Sequence, residues 1–333
     1  MLFLDRYMKV NFRHFDDKGE NISEVECLDI NYADLLRACI TVGEPSREYA
    51  MNKLLEMPEF AFHKIFAIFT SLDFQNDEII LNPSCDNLEH SEKVVLSFWT
   101  GMIFAKIVAE RILGVCWPTH VRLMQKECPE DLVLEPPDSK SLPDFIGTKN
   151  NEEWHILEAK GLRSNPSKGK RNDYKKQTKC LATIRGKEPS TRNYCITHLQ
   201  SPIEIELVDP KKDPEVKLKL DFGLKNFQNY YYKNIIEFFS GLDINNKSDQ
   251  ESQFLIKKIP CLCFIKRECY IGIVRETYKQ IISEENVEIL KEENILTLKN
   301  ELFNQFQTQS EFLDNNDKLE LSIGSDGIFV VIK

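Results

Sequence analysis

SLPDFIGTKNNEEWHILEAKG, residues 141–161, decides how the rest of the chain is read. Phe145–Thr148 is short and apolar, Lys149-Asn150-Asn151-Glu152 has turn composition, and Glu153–Lys160 reads as a second strand. Together they predict a β-hairpin. A turn centred near Asn151 sets Asp144 opposite Glu158. Cross-strand neighbours lie about 4.5–5.5 Å apart at Cβ, close enough for two carboxylates to hold one small cation. A one-residue slip would turn the side chains to the other face, so the geometry depends on register. Glu158 and Lys160 are two apart on one strand and share a face.

Two carboxylates and an ammonium at one point suit a particular chemistry. Magnesium takes oxygen ligands, commonly one or two carboxylates with waters completing an octahedron. It acidifies water and offsets charge on a phosphoryl oxygen. A lysine beside it either orients the attacking water or neutralises the pentavalent phosphate. The set points to phosphodiester hydrolysis. A surface Glu–Lys pair on an edge strand is the bland alternative. Trp154, Ile156 and Leu157 argue against it, because such a strand is buried on both faces and an unpartnered charge there is costly.

Pro143-Asp144 followed by Glu158-Ala159-Lys160 resembles the PD-(D/E)xK nuclease superfamily. The resemblance covers roughly residues 90–210. It implies an α/β, restriction-endonuclease-like core with a mixed β-sheet flanked by helices. It implies metal ligation by Asp144, Glu158 and the Ala159 carbonyl, with Lys160 assisting the nucleophilic water. Magnesium is the implied ion, with manganese as its substitute. Relatives also place a glutamate of the first core helix near the metal, for which Glu92 and Glu110 are the candidates. Each has an ordinary reading: Glu92 suits a first helical turn, and Glu110 pairs at helical spacing with Lys106. Relatives also bring a polar residue from the second helix, here Gln177. DNA is favoured over RNA on the family's habit, in the manner of restriction or phage-defence nucleases. A non-catalytic nucleic-acid-binding or assembly subunit and an RNA-cleaving enzyme are the rival readings.

After Lys160 the chain turns basic. Arg163, Lys168, Lys170, Arg171, Lys175, Lys176 and Lys179 are opposed only by Asp173. Nucleic-acid phosphates are their natural counterpart, and a solvated helix face is the alternative. Gly161–Gly169 reads as a loop and Asp173–Ile184 as a helix. The whole chain has 333 residues and a net charge of −10, so the basic stretch is local and acidic regions lie elsewhere or face a protein partner or second copy.

Three regions are expected: a helical segment over 1–90, the core over 91–210, and an α+β extension or lobe over 211–333. Tyr32–Ile40 and Ser46–Leu72 are helical in pattern, with Pro58 as a break. Ser91 is an N-cap for a helix over Glu92–Leu113, stopped by Gly114. His120 follows it and is more readily structural than catalytic. Pro136-Pro137 marks the loop into the hairpin. Asn193–Leu199 and Pro202–Val208 are strands, Phe227–Leu242 a helix, Asp243–Ser252 a polar linker. Tyr230, Tyr231 and Tyr232 are candidates for base stacking, although three in a row cannot share a face. Ile259–Val274 has strand character, Glu276–Leu302 is helical, and Leu319–Ile332 is a hairpin turning at Gly324–Gly327.

Ten cysteines are scattered through apolar stretches, the pattern of reduced buried thiols. Cys261, Cys263 and Cys269 lack the paired spacing of a zinc site. The longest apolar run, Val94–Ile107, is too short for the ~20 residues of a membrane span. No signal-peptide core follows Met1. A cytoplasmic protein with no membrane partner is expected.

Overall fold

The computed structural model describes residues 7–15, 21–42, 57–135, 142–210, 218–242, 253–259, 268–283, 285–308 and 319–333. Its strands are β1 (Tyr7–Phe15), β2 (Asn21–Asp29), β3 (Leu72–Gln75), β4 (Glu78–Leu81), β5 (Cys116–His120), β6 (Leu132–Glu135), β7 (Phe145–Thr148) and β8 (Trp154–Leu162). There follow β9 (Leu181–Ile184), β10 (Thr191–His198), β11 (Glu204–Val208), β12 (Leu218–Phe222), β13 (Phe254–Ile259), β14 (Cys269–Val274), β15 (Glu320–Ile323) and β16 (Ile328–Ile332). The helices are α1 (Tyr32–Thr41), α2 (Met57–Ser71), α3 (His90–Ile112), α4 (Val121–Glu127), α5 (Lys168–Thr178), α6 (Leu224–Gly241), α7 (Arg275–Ile282) and α8 (Glu292–Thr308). The expected helix over 46–56, the linker 243–252, Pro136-Pro137 and Cys261 with Cys263 lie outside the described residues.

The architecture is α/β, with a large mixed sheet flanked by helices. Among the described residues nine strands form it, in the order β3-β4-β1-β11-β10-β8-β7-β5, with β2 paired to β1. Strand β8 lies at its heart, parallel to β10 and antiparallel to β7. The hairpin register is the one expected: Phe145 faces Leu157 and Ile146 faces Ile156. Its turn closes on Asn150, whose Oδ1 accepts from the backbone N–H groups of Glu152 and Glu153 at 3.1 and 2.8 Å. Asn151 takes φ 66°, a left-handed conformation that asparagine tolerates better than most residues.

Helix α3 crosses directly behind β8, and two glycines permit it. A Cβ on Gly161 would lie 1.9 Å from Ser97 O, and one on Gly101 would lie 2.4 Å from Gly161 N. Backbone touches backbone at that crossing, one residue from Lys160. Gly161→Ala is therefore expected to cost about 3 kcal/mol, the upper end of overpacking penalties, visible as a fall in Tm. Gly169→Ala is its control, because the nearest atom there is 3.8 Å away.

Several boundaries differ from the sequence reading. Residues 1–90 are not a separate helical region: β1 pairs in parallel with β11, Lys9 facing Glu204 and Arg13 facing Val208. Residues 211–333 are not separate either. Strand β12 joins β6 and β9 in a three-stranded sheet, and the sheet β13-β14-β16-β15 shares one core with α1, α3 and α6. Helix α3 starts earlier than Ser91, because Glu89 and Glu92 form a capping box. Pro58 sits in the first turn of α2, where its missing N–H is no loss, so it opens that helix. Ser167 caps α5 through its side chain, which starts that helix earlier than Asp173. The helix ends at Thr178 because Leu181–Ile184 pairs with β12. The predicted single helix over 276–302 is two, α7 and α8.

The shared core contains buried charge. Arg37 on α1 donates to both carboxylate oxygens of Glu110 on α3 and, through Nε, to Ser322 Oγ at 3.0 Å. Arg37 Nη1 also lies 3.7 Å from Asp326 Oδ1. Lys106, fully buried, reaches Glu110 at 2.8 Å and the Tyr231 hydroxyl at 3.1 Å. Burial alone would raise the Glu110 pKa, but Arg37 and then Lys106 bring it down to about 2. Four segments far apart in sequence meet at this cluster: α1, α3, α6 and the β15–β16 hairpin.

Among the described residues no helix is long and apolar enough to cross a membrane.

Candidate active site

Asp144 ends the segment leading into β7, while Glu158 and Lys160 project from the same face of β8. The hairpin brings them together. Asp144 N–H donates to Glu158 Oε2 at 3.2 Å, and Ala159 N–H donates to Asp144 Oδ2 at 2.9 Å. Lys160 Nζ bonds Glu158 Oε1 and lies 3.5 Å from Asp144 Oδ2. Glu158 is sealed inside at 0 % exposure, whereas Asp144 and Lys160 keep 18 % and 23 % of their side chains in solvent. The cluster is thus reached from the surface through its two flanking members.

Its electrostatics are unbalanced. Burial first, and then the neighbouring Asp144, raise the Glu158 pKa to about 7, against the opposing pull of Lys160. Burial works to lower the Lys160 pKa, but Asp144 and Glu158 more than reverse it, so the ammonium is held above its usual value. One cation serves two carboxylates, so the partly dry site carries surplus negative charge once Glu158 ionises.

Helix α5 covers this face. Its Tyr174 ring lies 5.6 Å from Lys160 Nζ, within cation–π range. Tyr174 packs with Tyr194, Ile196 and Val208 in a small cluster of their own. The expected helix over 173–184 contains Tyr174, but nothing local in the sequence connects that ring to Lys160. Lysine and tyrosine are fourteen residues apart and meet only because Ser167 starts the helix where it does. Gln177, the expected contributor from this helix, is half-buried and makes no side-chain hydrogen bond among the described residues.

The two glutamates of α3 are not brought to the cluster. Glu92 is exposed and occupied at the helix start, accepting from Glu89 N–H at 2.8 Å. Glu110 is nine residues beyond the Gly101 crossing, about 14 Å along the axis, and is bound to Arg37 and Lys106. His120 caps α4, its Nδ1 accepting from Leu123 N–H at 3.4 Å. Burial lowers its pKa, opposed by Asp144.

The basic stretch divides. Arg163 is tied to Asp86 and to the Cys85 carbonyl, and Arg171 to Glu206. Both of these candidate nucleic-acid contacts have partners within the chain. Lys168, Lys170 and Lys176 are exposed along α5, with Lys175 and Lys179 half-buried. Tyr230, Tyr231 and Tyr232 are all buried. Their hydroxyls meet Glu127, Asp326 Oδ2 and the Asp326 carbonyl, so none presents a stacking surface.

Among the described residues no group of three or more His, Cys, Asp or Glu is placed to hold a metal ion. The cluster offers two carboxylates, which matches the sparse protein ligation of magnesium and not the fuller set of a structural zinc. No family model, curated protein or solved structure matches the chain.

Proposed function

We propose that the chain is a metal-dependent nuclease of the restriction-endonuclease-like kind, hydrolysing phosphodiester bonds in nucleic acid, with DNA as the favoured substrate. The observation that carries this reading is the convergence of Asp144, Glu158 and Lys160 at a partly open point on the central hairpin. Asp144 and Glu158, with the Ala159 carbonyl, would hold magnesium or manganese. The bound ion would acidify water and offset charge on the phosphoryl group. Lys160 orients the attacking water and shields the approaching phosphate. The exposed lysines of α5 hold the backbone on either side of the cut.

The competing reading is a closed ion cluster in a nucleic-acid-binding subunit, with Lys160 as the only cation the two carboxylates need. Metal titration separates the two. In the metal-free protein the folded-state pKa of Glu158 is about 7, above the ordinary 4.5. A raised carboxylate pKa means that the stability it contributes is fully present below about 4.5 and is lost as pH rises through 7. The loss is about 3 kcal/mol. A divalent ion relieves it. Magnesium is therefore expected to raise Tm more at pH 8 than at pH 5, and calorimetry below pH 7 should show protons released on binding. No heat and no Tm shift at either pH would favour the closed cluster. Cleavage assays with plasmid, linear DNA and RNA then identify the substrate.

A further inference from the structure

Paired residues across a sheet face the same way, and the register places a second site on the sheet face that carries Lys160, beyond the buried Ile196. Lys160 stands opposite Ile196, Ile196 opposite Glu206, and Glu206 opposite Asn11. At 4.7–4.9 Å per strand, Glu206 lies about 10 Å and Asn11 about 14 Å along that row. In the next row His198 stands opposite Glu204. A cavity of about 320 Å³ opens here, lined by Asn11, Asn165, Gln200, His198, Glu204 and Glu206, with Pro202 as an apolar wall.

The lining selects the ligand. Both carboxylates already have cations: Arg171 on Glu206, with His198 Nε2 3.5 Å away, and Lys9 on Glu204 at 3.3 Å. The site therefore has little to offer a metal ion, and two carboxylates repel a phosphate. Three amides and the Ser201 hydroxyl remain, each able to donate and to accept, beside carboxylate oxygens that only accept. That is the complement of a base edge carrying an exocyclic amine. We propose that this cavity holds one unpaired nucleobase of the strand whose backbone lies at Lys160, preferring amino-bearing bases to thymine. The inference rests on the nuclease reading for its choice of ligand class.

The test uses the full chain with chelator present and labelled single strands of equal length: oligo-dC, oligo-dT and a wholly abasic strand. Oligo-dC is expected to bind about tenfold more tightly than the abasic strand, and more tightly than oligo-dT. The Gln200→Ala/Asn165→Ala double variant changes two exposed loop residues. It should lose that preference while its affinity for the abasic strand stays the same. Asn11→Ala should weaken the preference in the same direction. Equal binding of the three strands, a preference that survives the double variant, or no binding of any strand would overturn the proposal. Cleavage with magnesium is measured separately. Cleavage without base preference removes the base pocket and leaves the nuclease reading standing; base preference without cleavage under magnesium or manganese does the reverse.

Discussion

Asp144→Ala is expected to abolish metal-dependent cleavage, lowering kcat by roughly 10²–10³ or more, the scale of losing one group that stabilises transition-state charge. Lys160→Met should do the same by a different route, and metal binding tells the two apart. Without Asp144, Glu158 and Lys160 become a balanced pair. The repulsion that helps to raise the Glu158 pKa disappears, and so does the demand for a divalent ion. Affinity for magnesium falls along with turnover. Without Lys160, two carboxylates face each other across the hairpin with no cation. Magnesium should then bind more tightly and raise Tm further than in the parent, while turnover stays lost. Circular dichroism should show both variants folded, since Asp144 and Lys160 are partly in solvent. Cleavage that survives both substitutions would place the chemistry elsewhere.

The second large effect lies away from that cluster. Arg37→Met removes the guanidinium that serves Glu110, Asp326 and Ser322 at once. Breaking a buried ion pair on one side costs about 3–5 kcal/mol, which for a chain of this size lowers Tm by on the order of 10 °C. Arg37→Lys should recover little, because an ammonium cannot reproduce the forked contact with Glu110. The pH dependence has a definite sign. The Glu110 pKa is depressed from 4.5 to about 2, so its contribution is present above about 4.5 and is lost as pH falls towards 2. The parent should lose stability steeply over that window in an acid titration followed by fluorescence, and Arg37→Met should show a shallower dependence. Equal melting of the parent and Arg37→Met at neutral pH would mean that the network contributes no net stability.

How much of this could be read from residues alone follows from the range of the interactions. The hairpin was legible. Asn150-Asn151 marks its turn, the apolar runs on either side fix its register, and that register determines which side chains meet. Gly114 was legible too, ending α3 with φ 66°. What could not be read was the partner of each distant segment. Residues 7–15 carry an ordinary strand pattern, and nothing in them names Glu204–Val208 as their parallel neighbour. Glu110 reads as a helix-surface residue paired with Lys106, because its stronger partner, Arg37, is 73 residues away. The three tyrosines were candidates for base stacking because aromatic runs suit both surfaces and cores. Trp117 and Asp326 decide for the core, and neither is near them in sequence. Helix α5 was misjudged at both ends, since its cap is one serine and its stop is a strand that needs β12.

The meeting of α1, α3, α6 and the β15–β16 hairpin also has a consequence for biosynthesis. A nascent chain leaves the ribosome with Arg37, Lys106 and Glu110 long before Ser322 and Asp326 exist. Until those later residues emerge, the guanidinium lacks two of its partners and the hydrophobic interior lacks its last sheet. The hairpin with Asp144 and Glu158 is translated well before β13–β16, yet the scaffold that holds it is finished only once those strands have emerged. Emergence of the C-terminal sheet should therefore be the event that commits this polypeptide to its native state.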